Sequence, residues 1–141
     1  MIRLVLIISL FLLSLVGFAQ GQSNTQNIEV TVVGAQNDKG KVYFSLYNSE
    51  ESFNNRTPFA SKEANLQEGV STVTFTNIAS GVYAIVCFHD ANDNKKMDFA
   101  ANGMPVEDYG ASNNVLNFGP PRFNDAKFEV TSANKTLQIK F

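Results

Sequence analysis

The chain has 141 residues, 11 basic and 13 acidic side chains, 12 phenylalanines, 4 tyrosines, no tryptophan, and a single histidine and cysteine. No basic block occurs anywhere, which excludes the electrostatic footprint of a nucleic-acid binder. One cysteine, Cys87, excludes an internal disulfide, and the length suits one domain around one hydrophobic core.

Residues 1–19, "MIRLVLIISLFLLSLVGFA", carry one early cation, Arg3, then an apolar run from Leu4 to Phe18 with small residues at Gly17 and Ala19. This pattern predicts a secretory signal peptide cleaved before Gln20. The run is about 15 residues, short of the roughly 20 that span a bilayer, so the mature chain is expected to have no transmembrane segment. Losing Arg3 takes the formal net charge from −2 to −3. The protein is therefore expected outside the cytoplasm, in the periplasm or beyond it.

Residues 20–26, "QGQSNTQ", are polar and patternless and predict a disordered lead-in to a domain over 27–141. "NIEVTVVGA" alternates, placing Ile28, Val30 and Val32 on one face. "KVYFSLYN" places Val42, Phe44 and Leu46 together. "SEESFNNR" allows one helical turn, and "ASKEANLQEG" reads as a weak edge strand. "VSTVTFTNI" alternates around Val73 and Phe75, while "VYAIVCF" is apolar on both faces, as a central strand is. "AKFEVTS" and "KTLQIKF" close the chain. About seven short strands separated by Gly and Asn turns predict an all-β, single-domain antiparallel β-sandwich. The exception is one long insert over 90–124, too long for a passive connection and holding three of the four prolines.

The insert opens with "HDANDNKKMDFAANG", in which oxygen-bearing side chains stand at Asp90, Asn92, Asn94 and Asp98. Alternate residues of a curled loop point inward, and a hard cation such as Ca2+ needs six to eight oxygens at short range. Counting Asp90 as the first position, the seventh is Lys96, which offers its backbone carbonyl. Spacing of this kind resembles the D-x-[DN]-x-[DN] calcium loop. Two departures weaken it. The sixth position, usually Gly, is Lys95, at a strain cost of about 1 kcal/mol, and the twelfth, usually a bidentate Glu, is Ala101. Glu107 or Asp108 folding back would fill that gap. Two firm carboxylates predict weak calcium binding, with Kd of about 10⁻⁴ to 10⁻³ M. The competing reading is an Asx-rich loop held by its own hydrogen bonds, with no ion.

His89 shares a strand face with Tyr83, Ile85 and Cys87. One His and one Cys do not make a zinc site, and a Cys87–His89 nucleophile pair has no third group to orient the base. Cys87 is expected to be a buried thiol, and His89 a strand-end imidazole bonding loop backbone. Catalytic signatures are absent: there is no G-x-S-x-G, no H-E-x-x-H and no phosphate-cradling glycine loop. The aromatics in the insert, Phe99, Tyr109, Phe118 and Phe123, either pin it onto the sandwich or line a shallow binding face, and pinning is the expectation, because a loop this long must bury something to stay ordered.

"FTNIASGVYAIVCFHDANDNKKMD", "NGMPVEDYGASNN" and "GPPRFNDAKFEV" resemble a family of secreted bacterial proteins, domain of unknown function 2141, over about Ile28 to Phe141. The resemblance implies an exported β-sandwich of immunoglobulin-like or transthyretin-like shape and no enzyme activity. Three functions are compatible with the sequence. The first is an exported binding or interaction module for an unidentified extracellular or envelope ligand, with a weak calcium loop at 90–98. The second is a structural accessory domain without an ion. The third is a hydrolase working through His89, Asp90 and Glu107 at the loop mouth.

Overall fold

The computed structural model describes residues 24–115 and 119–141. The predicted leader, its cleavage site and Phe118 lie outside them. Two sheets enclose one core, as the all-β sandwich reading expects. The first has the order β4-β1-β8 and the second β3-β2-β5-β6, with β7 also paired to β5. The strands are β1 (Thr25–Val33), β2 (Lys41–Tyr47), β3 (Ala60–Ala64), β4 (Val70–Ala79), β5 (Gly81–Asp90), β6 (Tyr109–Ala111), β7 (Phe128–Val130) and β8 (Lys135–Lys140). Two short helices, α1 (Glu50–Asn54) and α2 (Phe123–Ala126), lie between strands. Ser49 caps α1 by accepting the Ser52 N–H at 3.1 Å, with Glu50 and Glu51 in the first turn, so the "SEESF" stretch turns helical where the sequence allows it.

Alternation fixes what is buried. Ile28, Val30 and Val32 of β1 and Val42, Phe44 and Leu46 of β2 are fully buried, and Phe75, Ile85, Cys87 and Ile139 join them in one cluster. Each such side chain contributes roughly 1.5–3 kcal/mol relative to exposure. Central placement of β5, flanked by β2 and β6, accounts for its double-sided apolar sequence.

Three expectations need correction. Strand β8 runs parallel to β1, with Ile28 opposite Lys135 and Val33 opposite Lys140, so the sandwich is not wholly antiparallel. The chain crosses from the second sheet to the first between β7 and β8, and β8 therefore docks on β1 rather than folding back on β7. Thr25 and Gln26, read as lead-in, already pair with Ala79 and Ile78. The insert over 90–124 is not one loop: it contains β6, a 3-10 turn at Ser112–Asn114 and the start of α2.

That 3-10 turn ties three parts of the fold together. Ser112, 1% exposed, accepts the Ile85 N–H at 3.0 Å and donates to the Ala126 carbonyl. The Asn113 amide donates to the carbonyls of Asp125 and Lys127, both at 2.9 Å. Asn114 donates to the Gln138 carbonyl at 2.9 Å and accepts the Lys140 N–H at 2.8 Å, bonding alternate residues of β8 as a neighbouring strand would. Both asparagines have positive φ, 68° and 53°, a conformation Asn tolerates better than most residues.

Cys87 is fully buried, its sulfur 3.6 Å from the Gly110 carbonyl, and burial pushes its thiol well above the ordinary range. The thiolate is the reactive form. Native protein is therefore expected to resist a thiol reagent for as long as it stays folded and to label at once in denaturant. Rapid stoichiometric labelling of the native protein would contradict the packing described.

Candidate functional site

Strand β5 ends at Asp90, which pairs with Lys41 and whose side chain is fully buried. Its Oδ1 accepts the Asn94 N–H at 3.1 Å and its Oδ2 the Lys95 N–H at 2.7 Å. A buried carboxylate is tolerated only with such donors. To deliver them the chain curls tightly, with Asp93 at φ 56° and Lys95 at φ 64°. Lys95 thus takes the positive-φ conformation that the sixth position of a calcium loop requires.

The next two side chains build Asx turns. Oδ1 of Asn92 accepts the Asn94 N–H at 3.2 Å, and Oδ1 of Asn94 accepts the Lys96 N–H at 2.9 Å. Both amide nitrogens then turn to Asp98. Asn92 donates to its Oδ2 at 2.6 Å, and Asn94 donates to its Oδ1 and Oδ2 at 3.0 and 2.9 Å. Glu107 folds back onto the loop, where Oε1 accepts the Ala91 N–H at 3.3 Å and Oε2 the Asp98 N–H at 3.0 Å. The structure therefore gathers Asp90, Asn92, Asn94, Lys96, Asp98 and Glu107 into one hydrogen-bonded unit, with Lys96 entering through its backbone. Among the described residues, no three His, Cys, Asp or Glu side chains form a group able to hold a metal. An ion here would rely on the amide oxygens of Asn92 and Asn94 and on carboxylate lone pairs shared with N–H donors.

His89 is sealed in, 2% exposed. Its Nε2 lies 2.6 Å from the Lys39 carbonyl, and its Nδ1 is 3.8 Å from Asp108 Oδ2. It bonds loop backbone as expected, although that loop is the β1–β2 connection. Asp108 in turn accepts the Gln36 N–H at 3.1 Å and the Gln36 side-chain amide at 2.8 Å.

Beyond Asp98 the chain forms a small hairpin. Phe99 bridges Pro105, Val106 N–H donates to the Asp98 carbonyl at 3.0 Å, Ala100 N–H donates to Met104 at 2.8 Å, and Gly103 N–H donates to Ala100 at 2.8 Å. The expectation that the aromatics of the insert pin it down holds for Phe123, which is buried beside Phe53 at 5.8 Å between ring centroids. It fails for Phe99 (57% exposed) and Tyr109 (37%). Met104 and Val106, at 62% and 61%, join Phe99 as outward-facing apolar residues that the sequence reading missed. The signal was present: "FAANGMPV" is charge-free and contains the turn pair Asn102–Gly103.

The fold is an all-β sandwich with a hydrogen-bonded Asp/Asn loop and a projecting hairpin at one end. Residues 30–138 match the family model DUF2141, described as an uncharacterized protein conserved in bacteria, and the protein belongs to that family. No curated protein matches the sequence. Two solved structures of the pilus-presented adhesin Spy0125 (Cpa) are similar over 82% of this chain. One, a cysteine-to-alanine mutant, is 14% identical with a TM-score of 0.28. The other, in a P212121 form, is 15% identical with a TM-score of 0.27. This chain spans about a quarter of the length of the adhesin chains, 26% in each case. Likeness at this level carries no argument about function.

Gly40 holds the base of the loop in place. It has φ +65°, and a Cβ built there would lie 1.8 Å from the Asp90 carbonyl oxygen, a backbone atom that cannot move aside. Gly40→Ala is expected to cost about 3 kcal/mol or more. Asp90→Ala, which strands two N–H groups, is expected to cost about 3 kcal/mol. Urea denaturation of the two variants checks both figures.

Proposed function

We propose that the protein is an exported, non-catalytic interaction module that presents the Phe99–Val106 hairpin, and that the Asp90–Asp98 loop at its base takes Ca2+ weakly. The observation that carries the reading is the curl of the loop. The side chains of Asn92 and Asn94 both meet Asp98, Asp90 holds the backbone N–H of Asn94, and Lys95 already stands at φ 64°. Binding turns the oxygens of Asn92 and Asn94 toward the ion, which replaces their amide donors at the Asp98 carboxylate and takes those oxygens from the Asn94 and Lys96 N–H groups they now accept. The non-catalytic part rests on His89, whose burial and bond to the Lys39 carbonyl leave the hydrolase reading without an accessible base.

The ion-free reading is favoured by one specific feature. Both oxygens of Asp90 and both of Glu107 already accept backbone N–H groups, so these two acids have partners of their own. Thermal melting in calcium and then in chelator separates the two. At fivefold excess over Kd the ion adds about 1 kcal/mol, which for a domain of this size raises Tm by about 4 °C. Asp98→Ala is expected to abolish the shift. Lys95→Gly is expected to raise stability by up to about 1 kcal/mol in chelator by removing the positive-φ strain. Equal melting of wild type in calcium and chelator means the loop is held by Asx bonds alone.

Export rests on the apolar run and the Gly17-x-Ala19 site. Intact-mass analysis is expected to find a chain beginning at Gln20 in the exported fraction. A mass retaining Met1 in a membrane fraction would favour an uncleaved anchor instead.

A further inference from the structure

We propose that the Phe99–Val106 hairpin docks into the interface of an anionic lipid surface; this inference rests on the reading of the protein as an interaction module and names its partner. The hairpin has no charged residue between Asp98 and Glu107. Strand alternation across the Phe99–Pro105 bridge puts these two side chains on one face and Ala100, Met104 and Val106 on the other. Apolar groups are exposed on both faces: Phe99 by 57%, Met104 by 62% and Val106 by 61%. A patch that meets a protein surface is apolar on the side that docks. A projecting element apolar on both sides calls for a medium that surrounds it, and a bilayer interface is one.

The hairpin is also built to leave water. The N–H groups of Ala100, Gly103 and Val106 bond to carbonyls within the hairpin or at Asp98, that of Met104 bonds to the Asn102 side chain, and Pro105 has none. Four of the hairpin's seven backbone donors are thus satisfied internally, and those of Phe99, Ala101 and Asn102 remain for the headgroup layer, where water and phosphate are at hand. Residues 99–104 are all exposed, and nothing lies within 4 Å of a Cβ built on Gly103, so the tip faces solvent. At the base, Lys95 and Lys96 are exposed. The exposed acids near them are Asp93 and Glu63, of which Glu63 is paired with Lys41, while Asp98 and Glu107 are engaged in the loop. Two cations at the foot of an apolar tip match phosphate headgroups above acyl chains.

Flotation of the exported protein with vesicles tests this, using phosphatidylcholine alone and phosphatidylcholine mixed with phosphatidylglycerol, each in calcium and in chelator. The wild type is expected to float with the mixed vesicles in both solutions, which excludes simple calcium bridging. Phe99→Asp and Met104→Asp are each expected to lower the bound fraction at least about tenfold while melting as the wild type does, since both side chains are exposed. The double variant Lys95→Gln, Lys96→Gln is expected to lose the preference for phosphatidylglycerol. A wild type that stays in solution with every vesicle overturns the inference, as does unchanged flotation of both aspartate variants. Binding to mixed vesicles only in calcium overturns it as well. The calcium-melting experiment is independent of these outcomes, so a failed flotation leaves the loop reading standing and points to a protein partner for the hairpin.

Discussion

The buried carboxylate of Asp90 is the constraint from which this end of the molecule follows. A fully desolvated carboxylate costs several kcal/mol unless strong donors meet both oxygens. The two donors come from four and five residues further along the chain, the N–H groups of Asn94 and Lys95. That short reach dictates the curl, and the curl dictates positive φ at Asp93 and Lys95. Close approach of Gly40 to the Asp90 carbonyl shuts off the other side, leaving no room for a side chain. Once the curl is set, Asn92 and Asn94 face Asp98, and the hairpin grows from Asp98 outward.

The same chemistry recurs across this end of the sandwich. Asp38 accepts the N–H groups of Glu68 and Gly69 at 2.8 and 2.7 Å, tying the β1–β2 turn to the β3–β4 turn. Asp108 does so for Gln36, and Glu107 for Ala91 and Asp98. The segment between β5 and α2 buries few large apolar side chains, so acids and amides that satisfy loop backbone supply the order that a core supplies elsewhere. Ser112, Asn113 and Asn114 extend this to the seam between the two sheets. The conspicuous polar residues of the insert are thereby accounted for as partners of loop backbone and of one another.

Legibility in the sequence divided along the same line. Period-two alternation fixed Ile28, Val30 and Val32, then Val42, Phe44 and Leu46, because burial on one face leaves a direct trace in residue type. The two-sided apolar run of β5 marked its central place for the same reason. Parallel docking of β8 on β1 left no trace, since an edge strand's alternation is the same whichever neighbour it pairs with. β6 was hidden because three residues carry too short a pattern. In the loop, spacing pointed to Asp90, Asn92, Asn94 and Asp98 as one cluster, but it could not say whether Glu107 or Asp108 folds back; the structure shows Glu107 doing so. Spacing could not reveal that backbone N–H groups already occupy Asp90 and Glu107, because those contacts depend on φ at Asp93 and Lys95.

Under the calcium reading, those occupied oxygens set the strength of binding. A carboxylate oxygen has lone pairs enough to accept an N–H and still face a cation, but each shared oxygen gives the ion less than a free one. Among the loop acids Asp98 is the one whose donors are side-chain amides alone, and rotating Asn92 and Asn94 exchanges those donors for ligands while releasing the Asn94 and Lys96 N–H groups from their Asx turns. Such an exchange gives up charge-assisted hydrogen bonds, each of roughly 1.5–3 kcal/mol, before the ion contributes anything. Lys95 and Lys96 add like-charge repulsion toward a divalent cation, screened by solvent because both are exposed. A loop that is already closed by its own bonds therefore binds an ion by small differences. The same closure ties the base of the hairpin to the end of β5, through Asp90 on one side and Glu107 on the other.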